Sequence, residues 1–408
     1  MKCRHCQSPV DLVLIDLGAS PPSNAYLSHA RLSAPETWFP LRVLVCETCW
    51  LVQTEDVAEA AHFFDAEYAY FSEFSQTWLD HAAHFSTEMT QRFQLASDSV
   101  IIEVAANDGA LLQFFRDKGM RCLGVEPTAS TAAAARRKGL EIRECFFGAK
   151  AARDLHREGW RADLTVANNV LAHVPDINDF ATGFAELLAP HGVASFEFPH
   201  LLRLLAETQF DTIYHEHFSY LSLTSVVTIF RANGLSVFDV EELPTHGGSI
   251  RVLAQRADSG ARPCSQRVAA LLDREREAGI TSRNAYTGFQ ERAVRIKHAF
   301  LQFLLSARDS GKTVVAYGAA AKGNTLLNFA GVRSELISYV ADRNPAKQGK
   351  CLPGSRIPIV HEKVLAENRP DYVVILPWNI REEIVSQLSD LRKQGTQFVT
   401  AIPHLKIA

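Results

Sequence analysis

The sequence predicts an α/β protein in which a small N-terminal module precedes two Rossmann-like units. Two CxxC pairs lie near the start of the chain and indicate a module held together through its cysteines. Residues 100–115 and residues 313–329 each show an apolar strand, a turn of small residues and the start of a helix. A strand that passes through such a turn into a helix opens a βαβ unit, so two separate openings predict two sheets.

The composition is that of an ordinary globular protein. The 408 residues suffice for about two to three domains, and the net charge of -4 provides no basic field for nucleic acid. The start MKCRHCQSPVD lacks the apolar core of a signal peptide, and no apolar run approaches the ~18 residues that span a bilayer. We expect a cytoplasmic protein without a nucleic-acid or membrane partner. Its oligomeric state cannot be read from the sequence, and nothing requires more than a monomer.

Four of the eight cysteines form the pairs Cys3–Cys6 and Cys46–Cys49, with 39 residues between the pairs (46 − 6 − 1). Two such pairs supply the tetrahedral set of thiolates that zinc prefers, and four protein ligands leave no open position for catalysis. The other cysteines are isolated, which argues against a disulfide framework. The sequence therefore predicts a structural zinc in a domain over residues 1–72, with a redox dithiol as the alternative.

The rest of the chain divides into two larger domains. A helix predicted over residues 75–93 leads out of the zinc module. We predict that a doubly wound sheet follows and that this second domain spans residues 73–240. The strands ISYVADRN and DYVVILPWN come after the second βαβ opening and predict a third domain over residues 241–408.

The turn after the first strand of the second domain runs from Glu103 to Gly109 and lacks the dinucleotide pattern GxGxxG. It resembles the ExGxGxG turn of class I methyltransferases, with Ala105 and Asn107 where glycines are usual. A pyrophosphate requires backbone amides at very close range, whereas carboxylates and amides suffice for S-adenosylmethionine. Glu126 ends the next strand, where a carboxylate can accept hydrogen bonds from ribose hydroxyls. A generic α/β turn without an adenosyl ligand is the alternative.

A series of motifs follows one order along nearly the whole chain: the two CxxC pairs, EYAYFS, EVAANDG, GVEP, NNVLAHV, YHEHFSYLS, HGGSIRV, YGAAAKGN, DRNPAKQGK, PGSRIPI and LPWN. Together they resemble the sugar C-methyltransferases that act at C3 of nucleotide-linked 4-keto-6-deoxyhexoses. The resemblance implies a structural zinc, S-adenosylmethionine in the middle domain and the substrate nucleotide on the C-terminal domain. The implied cofactor-binding residues are Glu103, Ala105, Asn107, Asp108, Gly109, Glu126, Pro127, Asn168 and Asn169.

The chemistry of such an enzyme accounts for TIYHEHFSYLS, residues 212–222, which holds two histidines, a glutamate and two tyrosines. A carbon beside a ketone must lose a proton before it attacks a methyl group, so the reaction needs a base and donors at the ketone oxygen. Histidine titrates near neutral pH, and we predict that His217 is the base. Arrival of the methyl group on the opposite face predicts inversion at C3.

The resemblance assigns the other catalytic positions. They correspond to Tyr214, Glu216, His173 and one of Tyr68 and Tyr70, which compete for a single position on the N-terminal side. We predict that His215 is structural. The alternative for the whole segment is a buried polar cluster with satisfied hydrogen bonds, because perturbed titratable groups also occur in structural networks.

The C-terminal domain is predicted to hold the substrate nucleotide. In YGAAAKGN a strand is followed by glycine, small residues, Lys322 and a helix start, which offer amides, a helix dipole and a positive charge to a diphosphate. An empty Rossmann-like unit is the alternative. HGGSIRV offers glycine amides and an arginine, as a β-bulge with a surface arginine would. The predicted substrate-binding residues are His246, Gly247, Ser249, Arg251, Tyr317, Gly318, Lys322, Asn324, Asp342, Arg343 and Trp378.

Two other functions fit part of the sequence. A nicotinamide-dependent nucleotide-sugar oxidoreductase would use the second Rossmann-like unit, but its turn lacks GxGxxG. A non-catalytic zinc-bearing binding protein is the other, and the absence of a basic tract argues against nucleic acid as its partner. We therefore expect an S-adenosylmethionine-dependent C-methyltransferase that acts on a nucleotide-linked keto sugar.

Overall fold

The computed structural model describes residues 1–57, residue 73 and residues 76–408, and strands and helices are numbered below in chain order. Tyr68 and Tyr70 lie outside the described residues. Within the described part, the chain forms three sheets of four, seven and six strands. In the same part, no helix combines the length and the apolar character needed to cross a membrane.

The N-terminal sheet is antiparallel, with the strand order β1–β2–β3–β9. Its strands are β1 (Leu12–Ser20), β2 (Phe39–Val45), β3 (Val52–Thr54) and β9 (Ser219–Tyr220). The second CxxC pair forms the turn between β2 and β3. β9 belongs to the histidine-rich segment 212–222 and pairs with β3 through Ser219 and Tyr220. This segment is therefore fixed to the zinc module.

The central sheet has the order β10–β11–β8–β7–β4–β5–β6. The strands β4 to β8 are parallel, and β11 runs antiparallel to both of its neighbours. The hairpin of β10 and β11 extends this sheet through Arg256, beyond the predicted domain boundary at residue 240. The strands are β4 (Val100–Val104), β5 (Arg121–Val125), β6 (Ile142–Arg143), β7 (Ala162–Asn168), β8 (Leu188–Pro199), β10 (Leu235–Leu243) and β11 (Ser249–Arg256).

Helices cover both faces of the central sheet, which explains why its parallel strands are almost continuously apolar. The predicted helix over residues 75–93 is confirmed as α1, which buries Ala82, Phe85 and Met89 at the three- to four-residue spacing of one helix face. The helices are α1 (Gln76–Phe93), α2 (Leu112–Arg116), α3 (Ala129–Arg137), α4 (Ala149–Arg157), α5 (Ile177–Leu187), α6 (Leu201–Ala206) and α7 (Leu223–Ala232).

The C-terminal sheet has the order β14–β13–β12–β15–β16–β17 and is parallel except for β17. Its strands are β12 (Val314–Tyr317), β13 (Val340–Asp342), β14 (Ile359–His361), β15 (Tyr372–Ile375), β16 (Gln397–Thr400) and β17 (Lys406–Ile407). The remaining helices are α8 (Gln266–Glu277), α9 (Phe289–Asp309), α10 (Ala321–Ala330), α11 (Lys363–Asn368), α12 (Arg381–Gln387) and α13 (Ser389–Lys393).

The two larger sheets face each other across their ligand-binding edges. In each sheet the strand order reverses beside a central strand, and such a reversal opens a crevice at the carboxyl ends of the strands. In the central sheet the crevice lies between β4 and β7, and in the C-terminal sheet it lies between β12 and β15. Thr325 on α10 donates to the carbonyl of Ile213 at 2.7 Å. Gly247, just before β11, lies against Trp378, just after β15, so closely that a Cβ there would come within 2.4 Å of the ring. The two crevices therefore meet at one junction.

Candidate active site

The first crevice is organised around Glu126, which directly follows β5 and is buried. One carboxylate oxygen accepts from the amide of Asn107 at 2.8 Å and the other from the amide of Thr128 at 2.9 Å. These bonds fix the carboxylate at the carboxyl edge of the sheet, next to the turn after β4. Pro127 follows Glu126 directly and continues the chain along this edge.

The turn after β4 holds three residues at positive φ, namely Ala105, Asn107 and Gly109. Alanine and asparagine tolerate this backbone at a cost, whereas Gly109 is required because a Cβ there would lie 2.1 Å from Leu140. Asp108 is buried and accepts from the amides of Glu73 and Ala110 at 3.0 and 3.2 Å. The turn keeps its shape through these bonds, without the glycines that the usual pattern has.

Two polar side chains in this crevice point to a ligand. Burial, with smaller contributions from Asp108 and Glu126, raises the pKa of Glu103 well above its ordinary range, and among the described residues its Oε2 has no partner. Asn168 ends β7, and neither its amide nitrogen nor its oxygen is bonded within that part of the chain. The backbone of Asn169 has a positive φ, and its N–H donates to the backbone carbonyl of Glu197 at 2.7 Å. These groups fit a cofactor with hydroxyl and amino groups, as S-adenosylmethionine has.

His217 lies at the junction of the two crevices and is buried, with 9% of its surface exposed. Its Nδ1 is 2.8 Å from the carbonyl of Thr212, which can only accept, so Nδ1 carries the proton and Nε2 keeps the lone pair. Burial, and then the neighbouring His173, lower the pKa of His217 well below its ordinary value. The ring packs on Tyr214 at a centroid distance of 3.9 Å. The imidazole is therefore neutral at physiological pH, with one fixed tautomer.

His173 stands almost perpendicular to His217, with the ring centroids 4.6 Å apart. It follows β7 in a short 3₁₀ turn, Leu171–His173, and its Nδ1 is 2.9 Å from the carbonyl of Glu216. Burial lowers the pKa of His173 to about 4. Two neutral imidazoles thus adjoin each other, one from the central sheet and one from the segment 212–222.

The remaining residues of this segment contact the zinc module. The carboxylate of Glu216 accepts from Nδ2 of Asn24 at 2.7 Å, and burial raises the pKa of Glu216 to about 7. Nε2 of His215 is 3.1 Å from the carbonyl of Pro40, and its ring meets Phe39 edge-on at 5.8 Å. His215 and Glu216 therefore face the N-terminal module, while His217 faces the junction.

The C-terminal unit contributes a half-buried cation to the junction. Lys322, in the first turn of α10, donates to Oδ1 of Asn379 at 2.7 Å and lies 4.8 Å above the ring of Trp378. It forms no ion pair with any described carboxylate, although Asp211 is close enough to oppose the lowering of its pKa by burial. The indole of Trp378 donates to Asp211 at 2.7 Å, and burial raises the pKa of Asp211 to about 6.

The first part of the HGGSIRV segment lies at the junction, and the rest belongs to β11 of the central sheet. His246 and Gly247 belong to a 3₁₀ turn, Thr245–Gly247, and burial, followed by Lys322, lowers the pKa of His246 to about 4. Ser249 donates to the carbonyl of Thr245 at 3.0 Å. Arg251 is buried and pairs with Glu197, Glu88 and Glu241 at 2.7 to 2.9 Å. Its guanidinium is thus engaged by three carboxylates, inside the sheet–helix layer.

The other predicted substrate residues line the turn after β12 or lie beside it. Gly318 has a positive φ and packs on Pro377, and Asp342 accepts from the amide of Ala319 at 2.6 Å. Tyr317 donates to Glu362 at 3.2 Å, Arg343 is exposed and lies 3.6 Å from the same carboxylate, and Asn324 donates to the carbonyl of Ser23 at 2.6 Å. These contacts shape the turn that presents Lys322.

The four cysteines of the CxxC pairs converge, with their sulfur atoms within 4.8 Å of one another. Cys3 lies 3.5 Å from Cys49, and Cys6 lies 3.5 Å from Cys46. A tetrahedron with Zn–S bonds of about 2.3 Å has S–S edges of about 3.8 Å, so the set fits zinc. Gln53 donates to the sulfur of Cys3 at 3.4 Å and orients that ligand.

Sequence reasoning missed three residues around the junction: Asn24, His81 and Asp211. Each is remote in sequence from its partner, since Asn24 bonds Glu216, His81 bonds Glu197 at 2.7 Å and Asp211 bonds Trp378. No local sequence motif predicts such pairs. Only Asp211 had a nearby signal, because it directly precedes the histidine-rich segment.

Comparisons with known proteins match every part of this architecture. A model described as "C-methyltransferase C-terminal domain" matches residues 244–403, one described as "Methyltransferase domain" matches residues 78–240, and one described as "Putative zinc binding domain" matches residues 3–64. C-methyltransferase NovU of Streptomyces niveus is 35% identical over 408 residues, which cover 100% of this chain and 96% of that relative. The chain belongs to the C-methyltransferase family.

This C-methyltransferase uses S-adenosylmethionine and carries a structural zinc, as its methyltransferase domain, its zinc-binding domain and its four cysteines indicate. The predicted enzyme class, α/β fold class and cofactors are thereby confirmed. The residues that would hold S-adenosylmethionine are those of the first crevice, around Glu126 and the turn after β4.

Solved structures are similar to part of this C-methyltransferase. The PH0226 protein from Pyrococcus horikoshii OT3 is 16% identical and covers 46% of this chain and 95% of its own, with a TM-score of 0.39. Magnesium protoporphyrin IX methyltransferase (ChlM) from Synechocystis PCC 6803 is 13% identical and covers 44% and 79%, with a TM-score of 0.34. The family assignment rests on the sequence matches.

Proposed function

We propose that this enzyme methylates C3 of a nucleotide-linked 4-keto-6-deoxy sugar through an enolate that a histidine base forms. One observation carries the proposal: His217, a neutral imidazole with a fixed lone pair, lies at the junction to which Lys322 contributes a half-buried ammonium, whose charge lowers the pKa of the imidazole. A carbon acid needs the first group, and an anionic nucleotide needs the second. A methyltransferase acting on a neutral small molecule would have no use for the second sheet and its cation.

His217 is suited to take the proton from C3. Its Nε2 holds the lone pair because Nδ1 is bonded to Thr212, and enclosure keeps water away from the proton transfer. The proton moves from C3 to Nε2 while the electron pair of the C–H bond passes into the enolate. The charge of the resulting imidazolium is offset by the enolate beside it.

The enolate oxygen at C4 needs hydrogen-bond donors. Tyr214 packs on the ring of His217, and its hydroxyl group is the proposed donor. The proton of the neutral His173 is held on Nδ1 by the carbonyl of Glu216, so His173 is assigned to supporting the base. A tyrosine from the zinc module, Tyr68 or Tyr70, remains a prediction for donating to the same oxygen. Donors preorganised in a water-poor site can contribute about 3 to 4 kcal/mol to stabilising such an oxyanion.

Lys322 is suited to the diphosphate of the substrate. It lies in the first turn of α10, a helix of 10 residues whose N-terminus attracts anions. A buried ammonium without a carboxylate partner costs free energy in the ligand-free protein. A diphosphate would supply the missing negative charge, and Trp378 and His246 would border it.

The proposal assigns one task to each domain. Residues 1–72 hold the zinc and brace the segment 212–222, residues 73–240 bind the cofactor, and residues 241–408 bind the nucleotide. When bound, S-adenosylmethionine supplies the methyl group as a sulfonium. Transfer of the methyl group to the face of C3 opposite His217 would invert the configuration there.

A substrate screen tests the proposal. The enzyme is incubated with S-adenosylmethionine and thymidine-, cytidine- or guanosine-diphosphate-linked 4-keto-6-deoxyglucose, and products are measured by mass spectrometry and NMR. We expect a gain of one methyl group on C3 for at least one nucleotide, with inverted configuration. The proposal would be refuted by a methyl group on oxygen or on another carbon. It would also be refuted if none of the three sugars were methylated.

A further inference from the structure

We propose that His81 binds the acceptor substrate, with its Nδ1 accepting a hydrogen bond from a hydroxyl group of the sugar. This inference rests on the proposed function, because the hydroxyl belongs to the sugar nucleotide named there. His81 lies on α1 and carries no motif, and no part of the mechanism above uses it.

The imidazole of His81 is held in one orientation by a carboxylate. Nε2 of His81 is 2.7 Å from Oε2 of Glu197, and Oε1 of Glu197 accepts from Nε of Arg251 at 2.7 Å. Burial alone would raise the pKa of Glu197, but the hydrogen bond from His81 and the charge of Arg251 outweigh it and lower that pKa. A carboxylate only accepts, so Nε2 of His81 carries a proton, and in the neutral imidazole Nδ1 keeps the lone pair.

His81 stands at the edge of the crevice. Its partner Glu197 pairs in register with Asn168, the residue that ends β7 with an unbonded amide. Glu197 and His81 both act electrostatically on the pKa of His246 at the junction, as Lys322 does. The imidazole therefore shares one enclosed region with the groups that are proposed to hold the sugar nucleotide.

The first turn of α1 also reaches the C-terminal unit. Thr77 donates to Glu383 on α12 at 2.6 Å, and Trp78 lies 5.4 Å from the imidazole of His81. α1 thus bonds the central sheet through Glu197 on β8 and the C-terminal unit through Glu383 on α12.

A purely structural role leaves the second nitrogen of His81 unexplained. Arg251 bonds Oε1 of Glu197 and His81 bonds Oε2, which accounts for Nε2 of His81 but not for its Nδ1. Within the described residues Nδ1 of His81 makes no hydrogen bond, and the side chain keeps 14% of its surface accessible. An oriented imidazole with an open acceptor is the arrangement that selects a hydroxyl donor over an apolar group.

Two substitutions test the roles of the two ring nitrogens of His81 separately. In His81→Gln the side-chain amide can still donate to Glu197, but nothing replaces Nδ1. In His81→Asn a polar atom stands near the position of Nδ1, while the contact with Glu197 is lost. Each variant is assayed with the nucleotide-linked 4-keto-6-deoxyglucose that the wild type methylates, and calorimetry measures the affinity for S-adenosylmethionine.

We expect His81→Gln to raise the KM for the sugar nucleotide about five- to tenfold, the value of one neutral hydrogen bond. Its melting temperature and its affinity for S-adenosylmethionine should remain those of the wild type. His81→Asn should lie closer to the wild type in KM and melt at a lower temperature. This crossed pattern is one that a structural dyad cannot produce.

Three results would overturn the inference. Wild-type kinetics for His81→Gln together with a destabilised, inactive His81→Asn would show that the pair of His81 and Glu197 is only structural. A weaker affinity of His81→Gln for S-adenosylmethionine at unchanged sugar KM would assign Nδ1 to the cofactor. A wild-type enzyme that methylates none of the three sugars would remove the proposed function itself, and this inference with it.

Discussion

At the scale of single residues, the environment of His217 sets both its availability and its strength as a base. Enclosure and the neighbouring His173 lower its pKa, so the imidazole is unprotonated at neutral pH. The same shift makes it a weaker base than imidazole in water. Proton abstraction from C3 then depends on stabilising the enolate, which is the task proposed for the hydroxyl group of Tyr214.

Replacing His217 by asparagine should remove the base and keep the shape of the site. We expect turnover to fall by about 10²- to 10⁴-fold, the usual contribution of one acid–base group, with substrate and cofactor still bound. Exchange of the C3 proton in D₂O without a methyl donor gives the sharper measurement, since wild type should incorporate deuterium and the variant should not. Exchange at the wild-type rate in the variant would assign the base to another residue, with His173 first.

The pH dependence of kcat/KM should follow an imidazole whose pKa is lowered in the folded protein. The base form is present above that pKa and is lost below it, so we expect no acid limb at or above pH ~6.5, the ordinary value for histidine. The rate measured from pH ~5 to ~8 checks this, with thermal melting at each pH as the control. An inflection at about 7 would instead indicate Glu216, whose pKa lies there.

Glu126 should govern the affinity for the cofactor. Its carboxylate is fixed by two backbone amides and lies at the carboxyl edge of β5, where ribose hydroxyls can donate to it. Calorimetry of Glu126→Ala and Glu126→Gln should show at least tenfold weaker binding of S-adenosylmethionine, because a hydrogen bond to a charged group is worth about 1.5 to 3 kcal/mol. Glu144→Gln, an exposed carboxylate, is the control. Unchanged affinity in both variants would place the ribose elsewhere.

At the scale of elements, the zinc module braces the proposed active segment as well as itself. β9 pairs with β3, and Asn24 binds Glu216, so residues 212–222 are held from the N-terminal side. The four thiolates join the turn that precedes β1 to the turn between β2 and β3. A module of this size has too small a core to fold without such a staple.

Replacing Cys46 by alanine should therefore cost both zinc and activity. We expect a bound zinc content near zero, a loss of several kcal/mol of stability and a weakened enzyme, since the metal supplies folding free energy to the module. Metal analysis and thermal melting measure the first two. Cys264→Ala is the matched control because this cysteine is exposed and isolated. A zinc-free Cys46→Ala protein with normal stability would make the metal dispensable.

The sequence predicts local elements well and their mutual positions poorly. Short sequence patterns encode three features that are all present: the strand that Glu126 follows, the helix over residues 75–93 and the thiol pairs. The pairing of β9 with β3 and the hairpin of β10 and β11 depend on contacts between distant segments, which periodicity does not encode. For the same reason Arg251, expected near the substrate, is engaged by three carboxylates.

At the scale of the whole molecule, the proposed reaction depends on two sheets that each provide half of a site. Lys322 belongs to the C-terminal unit, and His217 and His246 belong to the segments that face it. The charge of the lysine lowers the pKa of both histidines, so it acts across the junction. Substrate binding would bring a negative charge to Lys322, which pairs with no carboxylate in the described part of the chain.

Replacing Lys322 by methionine should separate stability from substrate binding. Burial lowers the pKa of Lys322, so its charged form destabilises the ligand-free protein at neutral pH, and removal of the charge should raise the melting temperature. The KM for the sugar nucleotide should rise by about ten- to a hundredfold, because a charge-assisted contact is lost, while the affinity for S-adenosylmethionine stays constant. Lys312→Met, which removes an exposed lysine paired with Asp371, controls for the loss of a positive charge.

Two outcomes would contradict this prediction. A Lys322→Met variant that melts at a higher temperature yet keeps its KM would show that the diphosphate binds away from α10. A variant that loses affinity for S-adenosylmethionine would place Lys322 in the cofactor site.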